Sequence, residues 1–297
     1  MRERIDAIEA AIQQEVGRGA TALFAASRGG LWGAVSALSA AHPLYVGILT
    51  GFFVPRAEPP AAETDGPAGA ALLALALSRI GVRCRLLTDD NCRSACEAAL
   101  SGTDVPVDAV TQGESLQPVI EAWRALGVDW MIAIERCGLS ADGRPRNMRG
   151  EDVGAYTAPL DRVFTAGPWR TIAIGDGGNE VGMGKLPAGL VAREVSHGAA
   201  IACVTPADHL ITAGVSHWGA YGLIAGLAVL NDRWRETLLS CLDPETDRRI
   251  LKSLVQRGPA VDGVTSRRTM TIDGMDLTAH RVVMERLRIL ARPGGMA

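Results

Sequence analysis

Leu44-Tyr45-Val46-Gly47-Ile48-Leu49, then Ala68 to Ile80, then Val82-Arg83-Cys84-Arg85-Leu86-Leu87 make up the stretch on which the fold turns. The outer runs are short and apolar, whereas the middle one strings small apolar residues over several helical turns. Strand, helix, strand is the unit of a parallel sheet with a crossover helix. The alternation continues, with strand signals at Val105 to Val110, Trp130 to Ile134, Thr171 to Ile174 and Ala199 to Val204, and helical patterns at Asn91 to Leu100 and Leu116 to Leu126. Upstream, Ile5, Ile8, Ile12 and Val16 mark an amphipathic helix that Gly17 and Gly19 end. Downstream, Trp218 to Leu230 reads as a buried helix of small residues, followed by helical patterns at Arg233 to Ser240, Pro244 to Gln256 and Leu277 to Leu290. The expected fold is α/β, a mostly parallel doubly wound sheet of about six strands with helices on both faces and a helical C-terminal extension. A barrel is its main competitor. We expect a single domain over residues 1–297, with the sheet-containing core at 1–230 and a mainly helical extension at 231–297.

Composition narrows the function. The chain has 297 residues, 47% of them apolar and 21% charged, enough to bury a large core. Its 30 basic and 33 acidic residues give a formal charge of -3, with no Lys/Arg stripe for a phosphate backbone, so nucleic acid is not an expected partner. The longest apolar runs, Ala68 to Leu77 and Gly219 to Leu230, fall short of the roughly 18 residues of a spanning helix, so no membrane is expected. The N-terminus alternates charges (Arg2, Glu3, Arg4, Asp6) where a signal peptide would be apolar, and the expected location is cytoplasmic. Six cysteines without a Cys-x-x-Cys pair read as reduced thiols, and Cys92 and Cys96 lack flanking metal ligands.

In open parallel sheets ligands bind beyond the carboxyl ends of the strands, so the residues after each strand carry the functional signal. The first exit leads to Glu63-Thr64-Asp65-Gly66-Pro67. The fourth leads through Glu135 to Asn147-Met148-Arg149-Gly150-Glu151-Asp152, and the fifth runs from Gly175-Asp176-Gly177-Gly178-Asn179-Glu180 to Lys185. The sixth reads Thr205-Pro206-Ala207-Asp208-His209. These segments are expected to converge on one cleft, gathering Asp65, Arg149, Asp152, Asp176, Asn179, Glu180 and Lys185.

The Gly175 to Lys185 loop holds five glycines in eleven residues and could turn backbone N–H groups, those of Gly177 and Gly178 among them, toward an anion. It matches neither the dinucleotide fingerprint nor Walker A, so no nucleotide is expected; the plainer alternative is a tight strand-to-helix turn. Lys185 is one of only two lysines in the chain, a compact and titratable charge where arginine is otherwise the rule. Glu63, Asp65, Glu135, Glu151, Asp152, Asp176 and Glu180 crowd the exits. Singly each could be a helix cap or a solvated loop residue; together they could bind a divalent cation, hold an ammonium, or supply an acid and a base. Ser216-His217-Trp218 misses the nucleophile elbow. His209, after Asp208, is the histidine best placed for a site.

Taken together, the strings Glu63 to Pro67, Asn147 to Asp152, Thr157-Ala158-Pro159-Leu160-Asp161, Gly175 to Lys185, Pro206 to His209 and Ala260-Val261-Asp262-Gly263-Val264-Thr265 resemble the D-glutamate cyclase family. The likeness is to the domain forming the C-terminal part of the longer vertebrate enzyme. It implies a hydro-lyase that converts D-glutamate to 5-oxo-D-proline and water, the amine attacking the distal carboxyl. That chemistry asks for a base, an acid and donors for the developing oxyanion. Asp176, Glu180 and Lys185 are the catalytic candidates. Glu63, Asp65, Arg149, Glu151, Asp152, Gly177, Gly178, Asn179 and His209 are the substrate-binding candidates. A divalent cation stays open, as does a homo-oligomer. The alternatives are a non-catalytic binding module for an acidic metabolite and a phosphate-handling enzyme that uses the glycine loop as its cradle.

Overall fold

The computed structural model describes residues 1–42 and 44–295. Three helices, α1 (Arg2–Ile12), α2 (Thr21–Ser27) and α3 (Gly30–Ala41), precede β1 (Tyr45–Thr50). A small antiparallel pair, β2 (Phe53–Val54) and β3 (Ala61–Ala62), leads to α4 (Pro67–Arg79), β4 (Arg83–Asp89), α5 (Arg93–Ala99) and β5 (Val107–Val110). Then follow α6 (Gln117–Ala125), β6 (Trp130–Ile134), α7 (Asp161–Ala166), β7 (Arg170–Gly175), α8 (Leu190–Glu194), α9 (Gly198–Ile201) and β8 (His209–Thr212). The chain closes with α10 (Ser216–Leu230), α11 (Arg235–Cys241), α12 (Pro244–Gln256), a hairpin of β9 (Thr271–Ile272) and β10 (Met275–Asp276), and α13 (Leu277–Leu290).

The main sheet has the order β5-β4-β1-β6-β7-β8, and every pairing in it is parallel. The chain winds outward from β1 in one direction and, after β5, outward from β6 in the other. The order therefore reverses between β1 and β6, and a crevice opens beyond their carboxyl ends. Side chains alternate across the sheet. Val46, Ile48, Leu86, Trp130, Ile132, Ile134, Ile172 and Ile174 meet α1, α3, α4, α10, α12 and α13 on one face. Tyr45, Leu49, Leu87, Met131, Ala133 and Ala173 meet α6, α7 and the long loops on the other. The doubly wound α/β expectation is met, with the helical C-terminal region in place. That region is built into the first face rather than appended to it, since α13 packs on α1 and α10.

One strand was misplaced by the sequence reading. Ala199 to Val204 is not a strand; α9 covers its first part, and the sixth strand is β8. Val195, Gly198 and Ile201 are buried while Ala199 and Ala200 are exposed, a three-residue spacing that belongs to a helix. His209 thus begins a strand instead of following one, which puts it at the amino edge of the sheet, opposite the crevice.

Candidate active site

At the crevice the chain concentrates carboxylates. Glu135 follows β6 directly and has a left-handed backbone (φ 43), an uncommon conformation outside glycine that aims it off the strand. Asp176 follows β7, and Asp65 lies just before α4. All three meet the N-terminus of α10. The Ser216 backbone N–H donates to Asp65 (3.2 Å) and Asp176 (3.0 Å), and its hydroxyl donates to Glu135 (2.6 Å). A helix N-terminus favours negative charge, which explains why this one attracts them. Glu63, 7% exposed, lines the cleft beside Glu135. The cleft has a volume of about 340 Å³, a size suited to a small metabolite. Its walls include Phe52, Phe53, Met148 and Asn179, with Arg56 and Arg149 at the mouth.

Burial, and then mutual repulsion, push Glu63, Asp65 and Glu135 well above the usual carboxylate range. Burial pushes Asp176 up as well, opposed by the Arg18 guanidinium beside it. The sequence reading missed Arg18. It bridges Asp176 to Asp273 of the β9–β10 hairpin, tying the first turn of the chain to its last strands. Glu15 seats it by accepting from the backbone N–H groups of Gly17, Arg18, Gly19 and Thr21 at 2.7–3.2 Å. Gly17 and Gly19 both have positive φ, which this tight turn requires. The only sequence signal was that glycine pair, which marks a turn but not what the turn carries.

The glycine loop is a cradle with an occupant from its own chain. Glu180 accepts from the N–H groups of Asp176, Gly177 and Gly178 at 2.9, 2.6 and 2.6 Å. Those donors are spent on folding the loop, and Glu180, 1% exposed, is its internal clasp. Beyond Glu180 the loop turns back along β7, where a side chain on Gly182 (φ 99) would collide with Ala173. By Lys185 it has reached the amino edge of the sheet. There Lys185 Nζ donates to the carbonyls of Ala207 (3.3 Å) and Asp208 (2.7 Å), near His209 in a separate groove.

Of the seven residues expected in one cleft, Asn179 and Arg149 line it, Asp65 and Asp176 meet at the Ser216 N–H beside its Glu135, and Glu180 is bonded to the Asp176 backbone behind them. Asp152 and Lys185 lie elsewhere. Asp152 pairs with Arg144 on another groove, and Glu151 is exposed, accepting from Asn147. Asn179 donates to the Arg146 carbonyl (2.9 Å), holding the Asn147 to Asp152 loop against the site. All six cysteines are free and buried. Among the described residues, the one group with the spacing of metal ligands is Asp65, Glu135 and Asp176.

Fold and site together define an α/β protein with an acidic small-molecule cleft at the switch point of a parallel sheet. The family described as D-glutamate cyclase-like, C-terminal, matches residues 8–288, and the chain belongs to it. The human mitochondrial D-glutamate cyclase is 33% identical over 213 residues, covering 66% of this chain and 34% of that protein. The chain thus spans about a third of the length of that relative. No helix among the described residues is long and apolar enough to cross a membrane. A crystal structure of levodione reductase covers 82% of this chain and 90% of its own at 15% identity and a TM-score of 0.27, too distant to inform the fold.

Proposed function

We propose that the chain converts D-glutamate to 5-oxo-D-proline and water, as a hydro-lyase acting on a small-molecule amino acid. The observation that carries this reading is the convergence of Asp65, Glu135 and Asp176 on Ser216 beside a cleft with arginines at its mouth. The substrate is an ammonium with two carboxylates. Acidic residues inside suit the ammonium, and Arg149 and Arg56 at the mouth suit a carboxylate.

Ring closure forms a bond between the amine nitrogen and the distal carboxyl carbon and breaks a carbon–oxygen bond. Two protons move from nitrogen to the departing oxygen, which leaves as water. Asp176, the one of the four buried carboxylates paired with a guanidinium, takes a proton from the ammonium. Glu135, whose burial favours its protonated form, delivers one proton to the leaving oxygen and recovers one from the nitrogen, while Asp176 passes the proton it took to the same oxygen, which leaves as water. In this arrangement Glu135 takes the partner role that the sequence suggested for Glu180, because Glu180 is fully engaged by the glycine loop. The same engagement removes the basis for a phosphate cradle.

The test is incubation of the purified chain with D-glutamate, L-glutamate and 5-oxoproline across a range of pH and with divalent cations added. The expected result is 5-oxo-D-proline from D-glutamate. No product from either enantiomer and no ring opening in reverse would overturn the reading and favour a binding module for an acidic metabolite.

A further inference from the structure

We propose that Asp65, Glu135 and Asp176 form a binding site for one divalent cation, with Glu63 as a further oxygen donor at its rim. The three offer one oxygen each, all within 4.8 Å of one another. A single ion with bonds to oxygen of about 2.0–2.6 Å spans such a set. The donors are carboxylates without nitrogen or sulfur, a set that suits magnesium, manganese or calcium rather than zinc.

A second observation points to the same place. Glu63 is 7% exposed, lines the cleft with Glu135, and accepts no hydrogen bond from the described residues; its Oε1 is buried and without a partner. Asn179, 2% exposed and on the same cleft, likewise has an unpartnered Oδ1. A buried acceptor without a donor costs free energy unless something else meets it. Around this cleft the unmet groups are all oxygens, as a cation would require.

Charge points the same way. Among the described residues, Arg18 is the one cationic side chain bonded to any of the four buried carboxylates, and it reaches only Asp176. Ser216 holds Asp65, Glu135 and Asp176 from the helix side, while Glu135 Oε1 accepts no hydrogen bond from the described residues. One guanidinium cannot balance four carboxylates out of water. Protons, as in the acid role of Glu135, or a cation make up the difference; a bound ion displaces the proton from Glu135, so the two are alternative states of the site, and the experiment separates them.

The full chain, stripped with a chelator, would be titrated calorimetrically with magnesium, manganese and calcium chlorides in turn, with bound manganese counted by electron paramagnetic resonance. The expected result is one ion per chain with a dissociation constant of about 1 mM or tighter, the weak end of protein calcium sites. Glu135→Gln and Asp65→Asn should each weaken binding by at least about ten-fold, the lower bound known even for partners behind the ligands. Asp104→Asn, an exposed carboxylate far from the cleft, should not. Thermal melts report whether each variant is folded, and Glu63→Gln decides the matter if the other two are not. No binding up to about 10 mM, well beyond the weak limit, or unchanged affinity in the folded variants, overturns the proposal and leaves protons as the balancing charge. No substrate is used, so this result and the cyclase result can fail independently.

Discussion

Asp176 and Glu180 are four residues apart and both buried, yet the structure gives them different work. Asp176→Asn keeps an oxygen for the Ser216 N–H and removes the group that titrates. We expect turnover to fall by about 100-fold or more with little change in the melting temperature, the usual contribution of a general base. Glu180→Gln replaces an acceptor with an N–H donor among three N–H groups. It should cost about 1–3 kcal/mol in urea unfolding, and an unchanged midpoint would remove Glu180 from its structural role. Lys185→Arg should leave turnover nearly unchanged, because its ammonium serves two carbonyls at the far edge of the sheet; a large loss of kcat would contradict that placement. Composition had singled out Lys185 correctly as unusual, but rarity says nothing about which edge of a sheet a loop finally reaches. The carboxylates were legible because they stand next to strand ends. Arg18 and Asp273 were not, since their partners lie far away along the chain.

Among the elements, α12 and α13 were readable to the residue because Asp243 and Asp276 cap them and their apolar spacing is regular. The strand β8 was hidden, being only four residues long and preceded by Asp208, while the alanine-rich run before it imitated a strand. Helices α10, α12 and α13 also share a buried polar network that no sequence pattern announces. His217 Nε2 bonds Asp247 and Tyr221 at 2.8 Å each, and Trp218 Nε1 donates to His280 Nδ1 at 2.9 Å. Burial, with His217 nearby, lowers His280 from 6.5 to about 4. The folded chain therefore refuses a proton that the unfolded chain accepts. This share of stability is complete above about pH 6.5 and declines as pH falls toward about 4, by about 3 kcal/mol in total. His280→Gln should flatten the difference in urea midpoint between pH 7 and pH 4.5 relative to the parent; an unchanged slope would show that His280 is not its source.

At the scale of the whole molecule, the sheet and the C-terminal helices share one apolar face, with α13 on α1 and α10. Thermal unfolding should accordingly give coincident transitions by far-ultraviolet circular dichroism and tryptophan fluorescence, and a chain ending at residue 230 should not fold. Two separated transitions would instead divide the molecule near that point. The Arg18 bridge to Asp273 has a consequence for the history of each copy during synthesis. The bridge cannot form until Asp273 has emerged from the ribosome. The ion pair that sets the charge of the cleft is thus among the last contacts the nascent chain acquires.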